Sequence, residues 1–235
     1  MSTAVLDLLE SSGALSEDAK AAMPAIHGLV IVKDKHATIE EQTKLESYGI
    51  PVQEAAHPVP DERSVAASKS LLETIQQHAS EKTLVLACIS GGGSALFCAP
   101  RPPLSLEDLQ ATNTALLQSG WNIQDMNVVR KRLELGKGGR LAEAAYPSRV
   151  VSLILSDVLG DPLDLIASGP TVPDSSTWQD AWELVQRLPG TKLEVDDNHP
   201  SLPRSVMRVL EDGKNGLIED SPTAKHAAFE KCANW

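Results

Sequence analysis

The sequence predicts an α/β fold with a mainly parallel sheet. Two continuous apolar runs, 84–89 and 150–155, have the pattern of strands buried on both faces. Helical stretches alternate with these and with two shorter strand patterns, and that alternation marks a parallel sheet with crossover helices. Both apolar runs end abruptly in polar corners, Ser90-Gly91-Gly92-Gly93-Ser94 and Ser156-Asp157-Val158-Leu159-Gly160-Asp161. Ligands of such sheets bind beyond the carboxyl ends of the strands, so the two corners are expected to share one crevice.

Residues 3–23 read as a helix with Val5, Leu8 and Leu9 on its apolar face. Gly28-Leu29-Val30-Ile31-Val32 is the first strand pattern. Thr38 to Tyr48 reads as a polar helix with Gly49 as its C-terminal stop. Segment 50–55 is extended, and Pro51 restricts it to an edge or to a strand's first residue. In the loop after it, His57, Pro58 and Pro60 precede Asp61, which can cap a helix reaching about Gln77.

Beyond the glycine corner, Ser105 and Asp108 form a variant capping box, with Leu104 placed to staple onto Leu109. That helix runs to Ser119-Gly120. A second helix carries Asn127, Arg130, Lys131 and Arg132, and Gly136-Lys137-Gly138-Gly139-Arg140 separates it from a short helix over 141–145. Ser176 or Thr177 starts a helix over 178–188, and another lies near 204–211. Residues 189–235 otherwise read as a weakly patterned polar tail.

A formal net charge of −11 argues against a nucleic-acid partner. There is no apolar run of about 18 residues, so no membrane-spanning helix is expected, and the N-terminus has no secretory pattern. Cys88, Cys98 and Cys232 are odd in number and lack metal-ligand spacing, which suits a reducing cytoplasm.

Four polar clusters can carry chemistry. In the first, 90–94, glycines allow positive φ and let a ligand approach exposed N–H groups, although the same residues suit a plain tight turn. The second is Asn127, Arg130, Lys137 and Arg140, where Arg130 can grip a carboxylate or phosphate with two N–H groups. Taken alone, such a run is more often a solvated helix face. The third holds Asp157 and Asp161, which can bind Mg²⁺ alongside phosphate oxygens or cap the next helix. The fourth is Ser168-Gly169-Pro170-Thr171. His57 stands in its loop either as a site residue or as a histidine bonded to nearby backbone. No Walker A pattern, no Gly-x-Gly-x-x-Gly after a strand and no Gly-x-Ser-x-Gly elbow occurs.

Together, Ser90-Gly91-Gly92-Gly93-Ser94, Asn127-x-x-Arg130-Lys131, Lys137-Gly138-Gly139-Arg140-Leu141-Ala142, Ser156-Asp157-Val158-x-Gly160-Asp161 and Ser168-Gly169-Pro170-Thr171-x-x-Asp174 resemble the class II glycerate kinases, the MOFRL-associated family. His57-Pro58-Val59-Pro60-Asp61-Glu62 resembles its upstream motif. The resemblance covers a motif core of about 28–188.

It implies a Rossmann-like three-layer α/β/α large domain, here incomplete, with the C-terminal MOFRL domain absent. It implies ATP-dependent phosphorylation of D-glycerate to 2-phosphoglycerate with Mg²⁺ or another divalent cation, in the cytoplasm, and is compatible with a homo-oligomer. Arg130, Lys137 and Asp157 are then the expected catalytic residues. Ser90, Gly91, Gly92, Gly93, Ser94, Asn127, Arg140, Ser168, Gly169, Thr171 and His57 are expected to bind substrate or phosphate. Asp157 and Asp161 are expected to hold the metal.

Three departures stand out. The family's Gly-Lys-Ala-Ala segment, with its lysine, has no counterpart beyond the superficial echo Lys20-Ala21-Ala22-Met23. Glu134 and Gly136 replace a usual serine and an aliphatic residue. By the resemblance, the chain is expected to stop before the rest of the large domain and before the second domain. A truncated and weakly active or inactive kinase is therefore expected, with uncovered apolar surface. The alternatives are a hydroxypyruvate reductase, a label similar sequences carry despite the missing dinucleotide fingerprint, and a non-catalytic anion-binding remnant.

Overall fold

The structure, a computed structural model, describes residues 2–12, 26–156, 159–188 and 202–235. In chain order these form α1 (Ser2–Ser11), β1 (Val30–Lys33), α2 (Ile39–Ser47), β2 (Val52–Ala55), α3 (Glu62–His78) and β3 (Leu84–Ile89). There follow α4 (Gly93–Leu96), α5 (Leu106–Gln118), α6 (Ile123–Leu133), α7 (Arg140–Ala145) and β4 (Arg149–Ile154). Last come α8 (Trp178–Val185), α9 (Arg204–Lys214) and β5 (Cys232–Asn234), with 3₁₀ turns at Ile166–Ser168 and Ala227–Lys231. Part of the helix expected over 3–23 lies outside the described residues.

Local chemistry sets the helix starts. Thr38, Asp61, Ser105 and Thr177 each accept the N–H three residues on, and the residue there returns a side-chain bond to the cap N–H. Each of these capping boxes is reciprocal. Removing one such cap costs about 1 kcal/mol. Thr177, rather than Ser176, starts α8.

Among the described residues, the named strands β1–β5 pair only in parallel. β1 pairs β2 in one sheet, and β3-β4-β5 is the order of the other. α5, α6, α8 and α9 pool Leu109, Leu116, Val129, Leu133, Trp178, Val185, Val206 and Leu210 in the main core. Each such aliphatic side chain, fully buried, contributes about 1.5–3 kcal/mol. A smaller cluster of Leu6 and Leu45, with Val30 and Val52 against it, joins α1 and α2 to the first sheet.

The 84–89 run departs from its expected two-sided burial. Leu84 is 54% exposed and Leu86 40%. Neighbouring residues of paired strands share a face, which sets Leu86 beside Val151 and Val151 beside Ala233. That face is exposed at Leu84 and Leu86 and half-buried at Val151 and Ala233, while Val150 and Ser152, pointing the other way, are buried. An apolar run records that both faces can be covered, not that both are.

Within 189–235, the described residues include elements that belong to the core. α9 buries Val206, Val209 and Leu210, and β5 extends the sheet beyond β4. The apolar residues of α9 are set among Arg204, Arg208, Glu211 and Asp212, so average polarity conceals a well-formed apolar stripe.

Candidate functional site

The glycine corner follows β3 directly. Gly92 has φ +82° and leads into α4. A Cβ there would stand 2.8 Å from His57 Nε2, so the histidine ring lies against the corner and glycine is required twice over. Gly93 is equally close to the next loop, since a Cβ on it would be 2.7 Å from that of Ala167. Among the described residues, the N–H groups of Gly91 and Gly92 donate to no backbone carbonyl. Ser90 and Gly91 are exposed, and Gly92, Gly93 and Ser94 half-buried.

Three motifs meet here. Ser94 Oγ and Ser168 Oγ are 3.0 Å apart, and Ser168 Oγ donates to Asn127 Oδ1 at 3.2 Å. Asn127 is buried, and its Nδ2 has no partner among the described residues. Ser168 itself has φ +62°, next to Ala167 at +51°. Left-handed backbone at two successive non-glycine residues costs of order 1–3 kcal/mol each and aims the serine hydroxyl inward.

Arg130 lies three residues beyond Asn127, on the same face of α6. Its Nε donates to Asn113 Oδ1 at 2.7 Å, and its terminal nitrogens make no hydrogen bond or ion pair among the described residues. Burial pushes its pKa below the ordinary arginine value, with Glu134 acting in the opposite direction. Its two terminal nitrogens keep their four N–H donors for an oxyanion, untaken by any described residue.

Lys137, Arg140 and Thr171 are placed differently from the expectation that they face ligand. Lys137 is buried and donates to Ser94 O at 2.7 Å, Phe97 O at 3.3 Å and Glu134 Oε2 at 2.7 Å. Arg140 donates to Glu143 and to Glu219 O. Thr171 accepts from Ser152 Oγ at 2.7 Å and donates to Asn234 Oδ1 at 2.9 Å, tying β4 to β5. Gly169 accepts from Gly139 N–H at 2.7 Å, and Ser168 O from Gly138 N–H at 3.0 Å, so these two loops brace each other.

The reading of the second cluster as a solvated helix face does not hold for Asn127 and Lys137, which are buried, nor are the neighbouring Lys131 and Arg132 solvated. Both are buried: Arg132 binds Asp174, Ser176 and Ser221, and Lys131 lies 3.5 Å from Asp174. Asp161 is exposed, with φ +48°, and Asp157 lies outside the described residues. No group of three or more metal-ligating side chains occurs among the described residues. No described helix is long and apolar enough to cross a membrane.

Two participants carried no sequence signal for their roles. Glu134 stands out in the sequence only as a departure, yet it is the counter-ion of Lys137. Asn113, which orients Arg130, belongs to no motif; its place on α5 is visible only once α5 packs beside α6.

A family model described as a domain of unknown function, DUF4147, matches residues 4–211. A D-glycerate 2-kinase of Thermotoga maritima is 50% identical over 136 residues, covering 58% of this chain and 32% of that protein. A putative hydroxypyruvate reductase of Agrobacterium vitis is 42% identical over 223 residues, covering 94% and 46%. The crystal structure of a glycerate kinase from Thermotoga maritima superposes with a TM-score of 0.70 at 38% identity, covering 88% of this chain and 44% of that one. The chain thus spans less than half the length of each of these relatives.

Proposed function

The chain belongs to the DUF4147 family, and from that premise we propose that it is part of an ATP-dependent glycerate kinase acting on D-glycerate to give 2-phosphoglycerate. One observation carries the reading: the 90–94 corner, the Ser168 loop and Asn127 converge, with His57 on one side of the corner and Arg130 one turn along α6. The likeness to a D-glycerate 2-kinase and to a glycerate kinase structure supports it.

Phosphoryl transfer requires mainly positioning and neutralisation of charge on the moving group. In this reading the free N–H groups of the corner and the hydroxyl of Ser90 receive an oxyanion, while Ser94, whose O–H goes to Ser168, ties the corner to the Ser168 loop. Arg130 supplies paired charge-assisted donors to a carboxylate or phosphate. Asn127 Nδ2 is the buried donor left for ligand, and His57 borders the entrance. Lys137, Arg140, Gly169 and Thr171 serve the same site by bracing its loops.

Mg²⁺ supplies charge neutralisation when bound, and it needs only one or two protein carboxylates beside phosphate oxygens. Asp161 and Asp157 have the right donor chemistry to hold it. Three free cysteines suit a reducing cytoplasm.

The test is calorimetric titration of the purified chain with ATP–Mg²⁺ and with D-glycerate, beside glycerate-dependent ADP release and hydroxypyruvate-dependent NADH oxidation. Binding of at least one kinase substrate is expected, weakened about tenfold by Arg130→Ala through loss of a charge-assisted contact. Turnover of the chain alone is expected well below about 1 s⁻¹. NADH oxidation, or no binding of either substrate, overturns the reading.

A further inference from the structure

Glu134 and Lys137 form an ion pair of 2.7 Å whose side chains are 5% and 1% exposed. The pair sits directly behind the glycine corner. α4 has a single turn, so its last carbonyls have no helical partners. Lys137 Nζ fills two of those places, at Ser94 O and Phe97 O, and spends its third donor on Glu134. Ser68 Oγ approaches Leu96 O at 3.5 Å and accepts from Cys98 N–H at 2.8 Å.

Glu134 is itself fixed. Residues 99–101 and 133–135 pair as a short antiparallel ladder, through Arg101 N–H to Leu133 O and Leu135 N–H to Ala99 O, both 2.8 Å. Glu134 Oε2 also accepts from Ala99 N–H at 3.3 Å. The carboxylate is thus anchored on both strands of the ladder while it holds the ammonium.

Lysine keeps an ammonium on a flexible stem, with no intrinsic preference for pointing inward. Here all three of its donors are occupied inside the protein. Phe97 closes the other side: a Cβ on Gly136 would lie 2.3 Å from its ring, so the ring fills the space that Gly136 leaves. The two departures from the resembled family, at 134 and 136, therefore flank the same lysine.

We propose that Glu134 is a positioning residue for the glycine corner, holding Lys137 as an internal strut behind 94–97 and withholding its ammonium from ligand. The strut fixes the carbonyls at the rear of the corner, and through them the N–H groups at its front. Its consequence for substrate binding rests on the kinase reading; its consequence for Lys137 does not.

The experiment compares the wild-type chain with Glu134→Ser, the residue type the resembled family carries there, and with Glu134→Gln, which keeps the shape without the charge. Acylation of Lys137, followed by mass spectrometry, is expected to speed up about tenfold or more in Glu134→Ser and less in Glu134→Gln, while exposed Lys82 is unchanged. Amide exchange over 90–97 is expected to rise about tenfold, as local opening gives, with exchange in α9 unaffected.

Where the wild type turns over glycerate, KM for the anionic substrate seated at the corner is expected to rise about fivefold, which loss of folded protein alone cannot produce. Continued protection of Lys137, or exchange rising equally over the whole chain in both variants, overturns the proposal. A wild type with neither binding nor turnover overturns the kinase reading instead, and leaves the labelling and exchange results to decide the role of Glu134.

Discussion

Ser94 Oγ lies 3.0 Å from Ser168 Oγ, a hydrogen bond between residues 74 apart in the chain. It joins α4, just beyond β3, to the 3₁₀ turn Ile166–Ser168 that follows β4. Ser168 in turn supplies the one hydrogen bond that the buried Asn127 side chain makes among the described residues. The three side chains form a line from half-exposed to fully buried, so the cost of breaking it should depend on where it is cut.

Ser168→Ala is expected to destabilise by about 1–3 kcal/mol, because it leaves the buried Asn127 amide without any partner. Ser94→Ala should cost at most about 1 kcal/mol, since Ser94 is half-buried and water can replace it. Urea midpoints of the two variants measure this, and equal losses would show that the line does not end in a buried group. The double variant should cost less than the sum, because the two side chains share a contact.

Gly136→Leu is expected to destabilise by about 1–3 kcal/mol through overpacking. The reason is the Phe97 ring, whose Cε1 stands 2.3 Å from the place a Cβ would take. Phe97→Leu in the same chain should recover most of that loss, while Phe97→Leu alone should leave a cavity. Thermal melts of the three variants form the cycle, and failure of the second substitution to rescue the first would mean that backbone, not the ring, sets the limit.

Much of the fold can be read from local signals. Ser105 with Asp108, and Asp61 before its helix, act over three residues and match the capping bonds found. The polar corners are legible for the same reason, since a strand's end and its glycines adjoin. What cannot be read is the destination of long side chains. Lys137 and Arg130 look alike in sequence, as cations near glycines, yet one turns inward to Glu134 and the other keeps its terminal donors free. The difference lies in partners brought together by tertiary packing, Asn113 for Arg130 and Ser94 and Phe97 for Lys137. Likewise, Leu84 and Leu86 have the apolarity of buried residues, and nothing local states whether their face is covered.

Acid should weaken the junction of α5 with α9. Asp108 accepts from Ser105 N–H at 2.9 Å and from Ser205 Oγ at 2.6 Å. These bonds, the Ser105 N–H first and Ser205 next, hold its carboxyl below the ordinary aspartate value. A carboxyl with a lower pKa folded than unfolded adds stability above the unfolded value, and that stability is lost as pH falls through the folded one. Melting temperature should therefore drop below about pH 4, the ordinary aspartate range. Asp108→Asn should lower it at neutral pH and flatten the acid limb; an unchanged acid limb would assign the loss to other carboxylates.

The open face of the second sheet should govern how the chain behaves in solution. Leu84, Leu86 and, by strand alternation, Leu155 and Trp235 point to one side, and they are 54%, 40%, 65% and 77% exposed. A contiguous apolar patch beyond a few hundred Å² is a site of association. Exposed side chains on this face contribute little to folding, since their burial is incomplete. Leu86→Thr with Leu155→Lys should therefore reduce self-association while leaving the melting temperature within about 2 °C, a surface-sized effect of about 0.5 kcal/mol. Threonine is β-branched and suits a strand, and lysine brings a charge that opposes edge-to-edge pairing. Light scattering across a concentration series measures the association. If the double variant associates as the wild type does, the contact lies elsewhere on the surface; if it melts much lower, these leucines are covered in solution.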